Sequence, residues 1–127
     1  MSKRIEKYTG MVIQSAVTVA KNRKDIQKNL DRACKLIDFG VGYFWERPVR
    51  LVVLPEYFLQ GVTTPGKGEA GLKDFMDKAI TIPGPEIEVL SEKAREYNLF
   101  ISGGLSLIHI SEPTRRYAIS YAVFCLK

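Results

Sequence analysis

The chain has 127 residues, 46% hydrophobic and 26% charged, with Lys+Arg 19 against Asp+Glu 14 and a formal net charge of +5. That is the size and balance of one small soluble domain, and no apolar run approaches the roughly 20 residues of a membrane-spanning helix. Cys34 and Cys125 form neither a disulfide framework nor a metal cluster, and bases are interspersed with acids, so a cytoplasmic protein without metal, cofactor, nucleic acid or membrane is expected.

Taken in chain order, Met1-Ser2-Lys3-Arg4 is basic, but Glu6, Lys7 and Gln14 break up the next stretch of chain, so no secretory signal is expected. Met11, Val12, Ile13, Ala16 and Val17 make an apolar, β-branched run that predicts a buried strand over residues 11–17. Asn22, with Asp25 three residues on, predicts an N-cap and a capping-box variant. Ile26, Leu30, Ala33, Leu36, Ile37 and Val41 then recur at helical spacing, predicting an amphipathic helix over 24–39 that stops near Gly40 and Gly42.

Residues 49–54, VRLVVL, predict a second strand, apolar enough for a sheet covered on both faces and ended by Pro55. Gly61, Pro65, Gly66 and Gly68 predict a loop over 60–70, and residues 72–79 a short helix. Pro85 suits a first helical position, Glu86 and Glu88 complement the helix dipole, and Ile87, Leu90, Ala94 and Tyr97 line one face. Residues 99–104, LFISGG, predict a third strand running into a glycine pair. Strands and helices alternating in this way predict an α/β fold with a mostly parallel sheet.

Among residues that carry chemistry, Glu56 stands out. It follows an apolar strand within LVVLPEYFLQG, at the carboxyl edge where α/β sheets gather ligands. A carboxylate there is expected to be partly desolvated and suited to act as a base, with Tyr57 and Phe58 as apolar wall. A solvated or helix-capping carboxylate fits the same position.

Several pieces together resemble the nitrilase, or carbon–nitrogen hydrolase, superfamily. They are the opening strand with Gln14, the helix with Asn29-Leu30, then VVLPEYFLQG, IPGPEIEVLSEKAREYN and ISGG, in order over residues 11–104. The resemblance implies a four-layer α-β-β-α sandwich, of which this chain would be the N-terminal, incomplete part. It implies homo-oligomers acting on a small amide, nitrile or N-carbamoyl compound through a glutamate, a lysine and a cysteine. Glutamate takes the thiol proton, the thiolate attacks the substrate carbon, and lysine stabilises the tetrahedral intermediate.

Only Glu56 maps onto that set. The Pro-Glu-Tyr triplet looks like that of the aliphatic amidase and formamidase branch, in which the tyrosine at the position of Tyr57 lines the substrate pocket. Lys67, Lys73 and Lys78 fit no such motif and read as solvated, Cys34 as a half-buried helical cysteine, and Gln14 as a strand residue satisfying neighbouring backbone. The loop over 60–70 fits a pocket rim and a plain surface connection equally.

From Leu105 the string LSLIHISEPTRRYAISYAVFCLK changes character. Residues 105–115 and 119–126 read as the translation of a sequencing-library adapter, and Arg116, Tyr117 and Ala118 fill the length of its variable index. On that reading residues 1–104 are the N-terminal portion of a hydrolase domain and 105–127 a non-native tail. His109, Cys125 and the Arg115-Arg116 pair then carry no chemistry, and losing Arg115, Arg116 and Lys127 against Glu112 lowers the net charge. The chain as written is expected to be inactive, lacking the family's lysine and cysteine. The alternative is a complete small α/β ligand-binding or regulatory domain, although no Gly-rich phosphate loop is present. An acyl-transferring relative within the superfamily would share the Glu56 motif.

Overall fold

The computed structural model describes residues 4, 7–62, 68–109 and 121–126. Its elements are β1 (Thr9–Val12), α1 (Arg23–Tyr43), β2 (Val49–Glu56), α2 (Gly68–Asp77), β3 (Ile80–Thr81), α3 (Pro85–Glu96), β4 (Phe100–His109) and β5 (Tyr121–Leu126). The strands run in the order β1-β2-β4-β3, all parallel, and β5 pairs antiparallel with β4. The α/β alternation of the sequence thus gives the expected parallel sheet, with crossover helices between neighbouring strands.

Register sorts the side chains onto two faces. Met11, Val52 and Ile101 stand side by side and are buried. With Leu54 they form one core with Ile26, Leu30, Ala33 and Ile37 of α1 and Ile87, Leu90 and Ala94 of α3. The opposite face carries Val12 beside Val53 and Leu51 beside Phe100. Val12 is 79% exposed and Phe100 41%, while Leu51 and Val53 are half-buried. The double cover predicted for β2 is therefore found on one face only among the described residues.

Several boundaries differ from the sequence prediction, each for a local reason. β1 ends at Val12 rather than residue 17; Ile13 still donates its N–H to Val53 O at 2.9 Å, after which the chain leaves the sheet. Residues 13–20 bury only Ile13 and Ala20, so their apolar character mixes core positions with exposed ones. Helix α1 passes through Gly40 and Gly42, since Gly40 lies against Met11, where a Cβ would overlap the thioether. β2 continues through Pro55 to Glu56: the four residues from Val53 to Glu56 pass the three from Ser102 to Gly104, and proline is tolerated at such a bulge. β4 likewise runs past Gly103-Gly104 to His109. Residues 68–70, predicted as loop, open α2, while 63–67 lie outside the described residues.

Two helix starts match the sequence closely. Asn22 Oδ1 accepts the Asp25 N–H at 3.1 Å, and Asp25 Oδ2 reciprocates with the Lys21 N–H at 3.0 Å. An N-cap of this type is worth about 1 kcal/mol. Pro85 opens α3 as predicted, with Glu86 and Glu88 in its first turn.

Candidate active site

Glu56 is the last residue of β2, paired in register with Gly104 of β4, so it sits at the carboxyl end of the parallel sheet as predicted. The expected partial desolvation is absent: Glu56 is exposed. No hydrogen bond or ion pair engages its carboxylate among the described residues. Several other acids have partners: Asp25 accepts the Lys21 N–H, and ion pairs join Asp38 to Lys93, Asp74 to Lys78, Glu86 to Arg23 and Glu88 to Arg95.

Tyr57 comes next and is half-buried with φ +55°. A left-handed backbone at an aromatic residue costs on the order of 1–3 kcal/mol, so surrounding bonds must hold it. The Tyr57 N–H donates to Gly104 O at 3.0 Å, and Tyr57 O accepts the Gly61 N–H at 2.8 Å. The turn over 57–60 is thereby fastened to β4 at its start and closed at its end. Phe58 and Leu59 are fully buried beneath it, so Phe58 belongs to the core and not to a pocket wall. Gly61 has φ +74°, and a Cβ there would come within 2.9 Å of Val19 Cα.

Sequence reasoning missed a third participant, Asn29 of α1, which is 2% exposed. Its Nδ2 donates to Thr18 O at 2.7 Å and Leu59 O at 2.8 Å, while its Oδ1 accepts the Thr18 N–H at 3.1 Å. The signal available was an asparagine at a helical position between Ile26 and Leu30, where the helix is apolar. A polar residue at a core position needs partners, and asparagine can serve a donor and an acceptor at once.

The other candidates lie elsewhere. Cys34 is half-buried in α1, and burial pushes its thiol up despite the Lys93 charge, which is the reverse of an activated nucleophile. Lys73 is exposed, and Lys78 pairs with Asp74 at 2.8 Å. Gln14 is exposed and beyond the end of β1, so it is not the strand residue predicted. Lys67, Arg115 and Arg116 lie outside the described residues, as do the side chains of His109 and Cys125. Among the described residues, no group of three or more His, Cys, Asp or Glu could hold a metal ion, and no helix is long and apolar enough to cross a membrane.

Glu56 thus stands at the end of a central parallel strand, on the edge where α/β sheets gather ligands, and a strained, well-fastened turn follows it. Comparison with known proteins places the chain more narrowly, since the carbon-nitrogen hydrolase family matches residues 12–118. The chain belongs to the carbon–nitrogen hydrolase family. Formamidases of Bacillus cereus (strain Q1), Bacillus cereus (strain AH820) and Bacillus anthracis are each 31% identical to it over 101 residues. Those matches cover 79% of this chain and 28% of each formamidase, so the chain spans little more than a quarter of the relatives' length. Within this carbon–nitrogen hydrolase chain, the matched region contains Glu56, Tyr57 and Asn29.

Proposed function

We propose that this chain is the N-terminal portion of an enzyme that hydrolyses a non-peptide carbon–nitrogen bond, with Glu56 as general base and Tyr57 at the substrate pocket. The observation that carries the reading is the position of Glu56, unpaired among the described residues at the carboxyl end of β2. In the mechanism implied by the family, Glu56 takes the proton of a cysteine thiol and the thiolate adds to the amide carbon. A lysine ammonium stabilises the oxyanion; the carbon–nitrogen bond then breaks, and the protonated glutamate returns its proton to the departing amine. Water, deprotonated by the same carboxylate, cleaves the thioester and regenerates the thiol.

The formamidase likeness favours a short amide over a nitrile or an N-carbamoyl compound as substrate. The same proposal places the enzyme in the cytoplasm as a homo-oligomer. It also assigns residues 105–127 to adapter translation rather than to the native chain. Neither the family match, which runs to residue 118, nor β4, which runs to His109, marks a break at Gly104. Native genomic sequence continuous through that codon in independent clones would overturn the assignment.

The test is ammonia release from formamide and short aliphatic amides by the protein of the complete reading frame. Glu56→Gln should lower kcat by about 10²-fold or more, the usual contribution of a general base. Full activity of that variant removes Glu56 from the mechanism. The 127-residue chain by itself should release no ammonia, and turnover by it would show that it needs no further lysine and cysteine.

A further inference from the structure

The segment over 13–20 and the turn over 57–60 meet around one side chain. Residues 14–20 have no strand partner, yet their backbone groups need hydrogen bonds. Asn29 supplies both groups of Thr18, Arg32 Nη1 donates to Ala16 O, and the Ala20 N–H donates to Gln60 O at 2.8 Å. From the turn's side, Tyr57 O is held by Gly61, Leu59 O by Asn29 and Gln60 O by Ala20. Asn29 thus joins three pieces of chain (α1, the segment after β1 and the turn after Glu56) and spends both Nδ2 hydrogens and its Oδ1 in doing so. It is buried, so water cannot replace a lost bond cheaply.

We infer that Asn29 is a positioning residue for the hydrolysis proposed above, on which this inference rests. By holding Leu59 O it fixes the turn whose first residue, Tyr57, is in a strained conformation, and so sets the direction in which Glu56 and Tyr57 present their side chains. It touches neither substrate nor reacting atoms. Removing its donors lets the turn relax toward ordinary φ values and moves the base. A displacement of about 1 Å is enough to cost a catalyst up to 10²-fold in rate.

The experiment uses the protein of the complete reading frame and a short amide, with rates expressed per folded molecule. Asn29→Asp keeps the shape and an acceptor for the Thr18 N–H, while an ionised carboxylate offers no donor to Leu59 O; Asn29→Ala removes all three bonds. Each should lower kcat about tenfold or more, with KM changed by less than about threefold. In a Glu56→Asp background, where the base is already displaced, the further loss should be smaller, because both changes act through the same group. Unchanged kcat, or an equal fractional loss in both backgrounds, overturns the inference. Failure of both Asn29 variants to fold marks a residue of the fold alone and overturns it too. If Glu56→Asp and Glu56→Gln leave the rate untouched, it is the hydrolase reading that fails.

Discussion

Asp38 Oδ1 accepts two hydrogen bonds at 2.6 Å, from Lys93 Nζ and from the Tyr97 hydroxyl, which ties α1 to the end of α3. Burial by itself would push this carboxyl up, but the bonds from Lys93 and Tyr97 and the Lys93 charge together hold it below its ordinary value of 3.8. The Asp38 bond raises Lys93 above 10.5, and the same acceptor, with burial, raises Tyr97 above 10.0. A lowered acid stabilises the fold above its ordinary pKa and loses that contribution as pH falls through the lowered value. A raised lysine or tyrosine stabilises below its ordinary pKa and loses that contribution as pH rises through the raised one. Asp38→Asn should therefore cost most between about pH 5 and 9, and progressively less outside that window. The Asp38 side chain is 41% exposed, so solvent screening limits the loss to about 1 kcal/mol or less. Denaturant melts at pH 3, 7 and 11 check this, and a loss of the same size at all three would contradict it. Nothing in the sequence paired these residues, which are 55 and 59 positions apart. The same holds for Arg23 and buried Glu86, joined at 2.8 Å, where the sequence suggested only a helix-dipole role for the glutamate. Asn22 was legible because its partner Asp25 lies three residues away; Asn29 was not, because Leu59 is thirty away.

Among the elements, the buried faces of α1 and α3 were legible because burial imposes a 3.6-residue period on the sequence itself. Their ends were harder to read. Glycine after an apolar stripe signals a helix stop, yet Gly40 lies inside α1 for a tertiary reason: it makes room for Met11 of β1. Gly40→Val would place a branched side chain on the Met11 thioether, and overpacking of this kind costs about 1–3 kcal/mol. Met11→Ala opens that space at its own cost in lost burial. In the double variant the valine occupies the space left by the thioether, so its stability loss should be smaller than the two single losses combined. Additivity within about 0.3–0.5 kcal/mol would show that the two positions are not in contact as described. The strand ends obey the same logic. The mostly apolar residues that predict a strand reach residue 17, but only neighbouring strands decide how far pairing continues, and Pro55 ends no pairing because a bulge accommodates it.

Over the whole molecule, the sheet is covered on one face among the described residues. Parallel sheets occur almost only with both faces covered, because crossover helices put apolar residues on each. Here α1 and α3 cover the face of Met11, Val52 and Ile101, and the face of Val12, Leu51, Val53 and Phe100 has no cover among the described residues. The continuous apolar run of β2 predicts two covers, and among the described residues one is found. In the four-layer sandwich that the family resemblance implies, a second sheet takes that place. The prediction is a reversal of sign between two contexts. Val12→Lys with Phe100→Lys puts charge on the open face, which should raise the solubility of the 127-residue chain and shift it from self-associated species toward monomer in light scattering. In the protein of the complete reading frame those positions would be interior, and two lysines buried without partners should abolish soluble, active enzyme. Soluble enzyme of unchanged activity from the doubly substituted complete protein would mean that this face is solvated in the finished fold. The four-layer architecture would then not apply to it.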